Sequence, residues 1–75
     1  MRTKQLYPGI NNSRMIRVIL NGVGIYTTVN QAQVMFMQTE HRVIVDYALC
    51  ELSRERHITG IASRRNGIDF QVDLL

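Results

Sequence analysis

The side chains best suited to chemistry are few and fall close together. His41, Cys50, Glu51, Glu55 and His57 all lie in the stretch Thr39–His57, TEHRVIVDYALCELSRERH. A structural zinc site needs four ligands, brought in as closely spaced pairs of Cys or His. This chain offers one Cys and two His, and the two His stand at opposite ends of a helix-length segment, out of reach of a shared ligand. The lone Cys50 excludes an internal disulfide. Inside an apolar run it reads as a small buried hydrophobe of a reducing compartment. Glu51 and Glu55, one helical turn apart beside Arg54, read as a solvated face. There is no glycine-rich phosphate loop, no His-Glu-x-x-His, no paired Cys-x-x-Cys and no Ser/His/Asp set. The expectation is a protein that is not an enzyme and takes no cofactor and no metal.

Cations are the second resource. Up to Arg17 the chain carries Arg2, Lys4, Arg14 and Arg17 with no acid, a local charge of +4. From Val18 onward five Arg face six carboxylates, a charge of −1, which gives the net +3. The basic character therefore belongs to the N-terminal part, and the body is close to neutral. Residues 1–14, with Pro8-Gly9 and Asn11-Asn12-Ser13, read as a flexible basic arm ahead of a single domain over 15–75. Such an arm can follow phosphates. A second group, Arg54, Arg56, Arg64 and Arg65, lies after the central segment.

The elements that must position these residues follow from periodicity. On a helical wheel Ile44, Val45, Ala48, Leu49 and Leu52 fall within an arc of about 140°, the usual width of a core-facing stripe. Val43, Tyr47 and Cys50 form a second apolar arc on the other side. That second arc implies a further surface: a loop, the preceding segment or a homodimer contact. Arg42–Tyr47 is rich in β-branched residues, but Ala, Leu, Glu and Arg after it and the absence of Gly and Pro favour helix.

Upstream, MIRVIL (15–20) and VGIYTT (23–28) flank Asn21-Gly22, the strongest short hairpin signal. A two-residue loop pairs Leu20 with Val23, Val18 with Ile25 and Ile16 with Thr27, with Arg17 opposite Tyr26 as a stacking pair on the other face. Thr28 with Gln31, or Asn30 with Gln33, opens a short helix. A break near Gln38–Thr39 separates it from the central one. Met15, Met35 and Met37 read as filler for an irregular core.

Residues 58–75 admit two readings. In the first, Ile68, Phe70, Val72 and Leu74 alternate with polar residues as in a half-buried strand. A three-residue loop Arg65-Asn66-Gly67 then pairs Arg64 with Ile68, Ala62 with Phe70 and Gly60 with Val72. In the second, Ile58-Thr59-Gly60-Ile61-Ala62 followed by Gly67-Ile68 resembles the positioning helix and turn of a helix-turn-helix. Its small-residue-to-turn spacing is one too long, and its recognition helix would be very short. The hairpin is preferred.

The expected fold is thus α+β: β-hairpin, central helix or helix pair, β-hairpin, with an antiparallel sheet packed on the helix. Residues 1–14 contain no signal-peptide h-region, and no apolar run reaches membrane-spanning length, so a cytoplasmic protein is expected. The functional expectation is a small regulatory binding module. Nucleic acid would be held by Arg2, Lys4 and Arg14 of the arm and by Arg54, Arg56, Arg64 and Arg65, the last two laid out like the wing of a winged helix. The alternative is a homodimeric inhibitor or adaptor that binds protein through Val43, Tyr47 and Cys50 or through a sheet edge.

Overall fold

The computed structural model describes residues 6–75. Within them the chain forms β1 (Met15–Leu20), β2 (Val23–Thr28), α1 (Val29–Phe36), α2 (Arg42–Arg54), β3 (Gly60–Arg65) and β4 (Ile68–Leu74). This is the α+β order read from the sequence. None of the helices among the described residues is long and apolar enough to cross a membrane.

Asn21 and Gly22 both adopt positive φ, 48° and 85°, as a type I′ turn requires. β1 and β2 consequently pair in the expected register, Leu20 with Val23, Val18 with Ile25 and Ile16 with Thr27. Thr28 caps α1, its hydroxyl accepting the Gln31 backbone N–H at 3.1 Å. Of the two capping frames the earlier is used, and Asn30 is already inside the helix. The break before the central helix falls where expected. The Thr39 hydroxyl donates to the Phe36 carbonyl at 3.0 Å and accepts the His41 N–H at 3.2 Å.

α2 is shorter than the apolar segment suggests. It begins at Arg42 and ends at Arg54, where Glu55 leaves helical geometry. His57 therefore lies past the helix, 3.7 Å from the Glu55 carboxylate, and does not sit in the last turn. The five residues of the first arc, Ile44, Val45, Ala48, Leu49 and Leu52, are all buried as expected.

The four strands form one antiparallel sheet in the order β2-β1-β4-β3. The two hairpins thus join through their outer members, β1 and β4, which become the centre. Ile16, Val18, Leu20, Phe70 and Val72 point to the helices and are buried. Arg17, Ile19, Gln71 and Asp73 point to the open face, where Arg17 donates to Asp73 at 2.6 Å and stands opposite Tyr26 of β2.

Residues 58–75 form the hairpin and not the helix-turn-helix, but with a different register from the one expected. Asn66 and Gly67 both take positive φ, 53° and 79°, so the loop has two residues, not three. Arg65 pairs with Ile68, Ser63 with Phe70 and Ile61 with Val72. A one-residue slip turns every β3 side chain to the other face. Ile61 packs on the core, Arg65 joins the helix side, and Gly60, Ala62 and Arg64 face outward. The alternation of β4 did not decide the register. Asn and Gly tolerate left-handed geometry, and the twist of a two-residue I′ turn suits the strands.

The N-terminal segment also differs from a free arm. Tyr7 and Ile10 bridge each other around Pro8-Gly9 and are both 4 % exposed within the core. Residues 6–14 are tied further by Val29 N–H to the Arg14 carbonyl and Asn30 N–H to that of Asn12, each at 3.0 Å. Arg2 and Lys4 lie outside the described residues. The methionines expected as core filler, Met15, Met35 and Met37, are exposed instead. Tyr7 and Ile10, from the segment expected to be a free arm, join the core in their place.

Gly60 faces Asp73 on the neighbouring strand, and a Cβ there would overlap the Asp73 carboxylate. That carboxylate is held by Arg17 and by Gln71, the latter at 2.8 Å, and has little room to yield. Gly60→Val is expected to lower the unfolding free energy by about 1–3 kcal/mol, read from the urea midpoint. At Gly24 a Cβ would meet only Ile19 Cγ1 at 3.8 Å, so the overlap expected at Gly60 has no counterpart there.

Candidate functional site

The register of β3 decides where the arginines go. Arg64 turns to the open face, 3.6 Å from Asp69. Arg65 turns to the helix side and lies over the Tyr47 ring, 5.3 Å from its centroid. Tyr47 in turn meets Phe70 edge-on at 6.4 Å. The hairpin tip therefore does not present Arg64 and Arg65 as one pair. Arg54, in the last turn of α2, is engaged by Glu51.

The cations that do converge lie at the C-terminal end of α2. The Ser53 hydroxyl donates to the Pro8 carbonyl there, which brings the 6–10 segment over the helix end. Gly9 has positive φ and passes so close that a Cβ would stand 3.5 Å from the Ser53 carbonyl and 3.7 Å from Arg56 Nε. Two clefts flank this crossing. One, of about 410 Å³, lies between Leu6–Pro8 and the Cys50, Ser53 and Arg54 side of α2. The other, of about 280 Å³, lies between Gly9, Arg14 and Leu74. Arg56 borders both.

Among the described residues Arg17, Arg54 and Arg64 have carboxylate partners, whereas Arg14, Arg42, Arg56 and Arg65 have none. Arg14 donates from Nε to the Leu75 carbonyl at 2.8 Å and lines the second cleft. A helix C-terminus repels anions by its own dipole. Any anion at this end is held by side-chain guanidinium groups, not by the helix.

Tyr7 fastens the segment that forms the clefts. Its hydroxyl donates to Asp46 Oδ1 at 2.6 Å and accepts from the Gln33 amide, so it touches both helices. Burial first, and then the bond to Asp46 and its charge, push the Tyr7 hydroxyl well above the ordinary tyrosine range. Cys50, expected to be buried, is exposed on the outer side of α2. Partial burial and the charges of Asp46 and Glu51 raise its thiol pKa, so it is not an activated nucleophile.

The second apolar arc is an exposed strip. Val43 is 55 % and Tyr47 38 % exposed, and Cys50 lies between them and the 6–8 segment. His41 stands before α2 with its ring edge-on to Phe36 at 6.4 Å. The described residues contain no cluster of three or more His, Cys, Asp or Glu fit to hold a metal.

Compared with family models, with curated proteins and with solved structures, the chain matches none, and its functional reading rests on its own residues. The contribution of Tyr7 and Gly9 to the site was not read from the sequence. The available signal was a Pro-Gly turn flanked at Tyr7 and Ile10 by two apolar residues placed to close on each other.

A tyrosine whose pKa is raised by folding adds stability below its unfolded value of 10.0 and loses it as pH rises beyond that. The unfolding free energy should therefore fall as pH rises above 10, and Tyr7→Phe should flatten that fall while costing stability at neutral pH. Urea titrations across the alkaline range read both effects.

Proposed function

We propose that the protein is a small non-enzymatic regulatory binding module that holds the phosphate backbone of nucleic acid at the C-terminal end of α2. The observation that carries this reading is Arg56. It lacks a carboxylate partner among the described residues and borders both clefts, with Arg54 on one and Arg14 on the other. Arg2 and Lys4, also expected to bind phosphate, precede Leu6 in the sequence and lie outside the described residues. Guanidinium groups suit phosphate because their planar fork donates two parallel hydrogen bonds.

The contacts so provided position a duplex without reading its bases. Arg65, seated on Tyr47, adds charge along the flank of α2. Arg64 contributes little, because Asp69 faces it across the hairpin. Binding of this type is strongly salt-dependent and weakly sequence-dependent.

A second reading has its own observation. Val43, Tyr47 and Cys50 are exposed side by side on the outer face of α2, the place where a protein partner would lay an apolar strip.

The two are separated by anisotropy titration of a labelled duplex over a salt series. Arg14→Ala with Arg56→Ala should weaken binding and lower the slope of log K against log salt by about two. Arg64→Ala should leave both nearly unchanged. An affinity and slope unmoved by the double variant would remove the phosphate-binding reading.

A further inference from the structure

From Val18 to Thr39 the chain contains no Asp, Glu, Lys or Arg. Those residues form the end of β1, all of β2 and α1, so among the described residues β2 and α1 contribute no charged side chain to their flank of the molecule. The same flank is apolar. Val23 and Tyr26 are each 66 % exposed, and Val34 and Met35 of α1 are exposed as well. On the α1 wheel Met35 lies about 200° from Gln33, whose amide reaches Tyr7 beside α2. Met35 therefore sits on the side of α1 turned away from α2, towards β2.

β2 is also an open edge. Leu20 and Val23 close the Asn21-Gly22 turn as a hydrogen-bonded pair, and such pairs alternate along the ladder. On β1 the opposite phase faces β4, as the bonds Asn21 N–H to Asp69 O and Leu75 N–H to Met15 O show. Gly24, Tyr26 and Thr28 thus point their N–H and C=O groups away from the sheet. Natural edges are guarded by charge, proline or bulges. β3 has Arg64 and Arg65 for this purpose, and β2 has no such guard.

We infer that a second copy of this chain docks on β2, antiparallel, in the register that sets Gly24 opposite Tyr26 of the copy. In that register the strand is complementary to itself. The Tyr26 ring of each chain covers the bare backbone at Gly24 of the other, a cross-strand aromatic–glycine pair. Ile25 meets Ile25 at the two-fold axis, and Val23 meets Thr27.

The reciprocity of Gly24 and Tyr26 in this register selects a second copy as the occupant, and charge fixes where two copies can meet. Each chain carries +3, and the basic end and the β3 edge would set arginine against arginine. The uncharged flank is where two copies meet without that cost. The two-fold lies perpendicular to the sheet. It makes one sheet of eight strands from two of four, with the helices of both copies on one face. This surface is separate from the basic end of α2, so its test is independent of the phosphate-binding reading.

Sedimentation equilibrium over a micromolar concentration series is the first test. Wild type should show twice the 8.7 kDa chain mass. Gly24→Lys should show a single chain with an unchanged far-ultraviolet circular dichroism spectrum, because its Cβ meets only Ile19 Cγ1 at 3.8 Å. A second variant does not depend on how Gly24→Lys folds. Ile25 opposes itself as a non-hydrogen-bonded pair with Cα atoms about 4.5 Å apart, within disulfide reach. In a Cys50→Ser background, Ile25→Cys should oxidise to a covalent dimer and Val23→Cys should not. A monomeric wild type, a dimer that survives Gly24→Lys, or an Ile25→Cys variant that fails to cross-link would overturn the inference.

Discussion

Everything in this fold depends on the pairing of β1 with β4. Each hairpin alone is a two-stranded ribbon, marginal in water. Joined at Ile16–Leu74, Val18–Val72 and Leu20–Phe70, they present one apolar floor on which both helices rest. Ile16, Val18 and Val72 are fully excluded from solvent. The register is held from two sides. Beneath the helices, a slip by one residue would bring Arg17 or Asp73 into the core. At the turn, Asn21 receives the Asp69 N–H on its side-chain oxygen at 3.0 Å and gives its own N–H to the Asp69 carbonyl at 2.8 Å. The Arg17–Asp73 bridge on the open face is too exposed to fix the register by energy alone. It reports the register more than it sets it.

From that central pair follows the distribution of charge. Placing β1 and β4 inside leaves β2 and β3 as edges of opposite character, one neutral and one carrying two arginines. α2 lies over β3 and β4, and α1 over β2, so the neutral helix and the neutral strand share a flank. The return of the chain after α2 brings Arg56 beside the 6–14 segment, which Tyr7 and Ile10 hold in the core. A basic end and an uncharged edge are thus consequences of topology; the phosphate-binding reading draws on the first and the docking of a second copy on the other.

Where local turn chemistry and hydrophobic alternation agree, the sequence was readable. The first hairpin came out in register because Asn21-Gly22 and the pattern Ile16, Val18, Leu20 point the same way. The inner stripe of α2 was equally plain. The second hairpin failed by one residue because β3 has no clean alternation: Gly60, Ile61, Ala62 and Ser63 fit either face, and only Asn66-Gly67 distinguishes them. The sites suffered in proportion. The exposed arc Val43, Tyr47 and Cys50 could be placed by helical geometry alone. Which arginine meets a carboxylate, and which is left for a ligand, depends on that register and on the tertiary fastening of Tyr7. Neither is a property of local spacing.

The most direct test of the central pairing is amide hydrogen exchange on β1, residue by residue. Arg17 and Ile19 point their N–H groups at β4, and Val18 and Leu20 point theirs at β2. If β1 is the middle of one sheet, all four exchange slowly and together, by global opening, while Ala62 and Arg64 on the outer edge of β3 exchange fast. Slow exchange at Val18 and Leu20 with Arg17 and Ile19 as fast as that edge would mean two separate hairpins, and the account would fail.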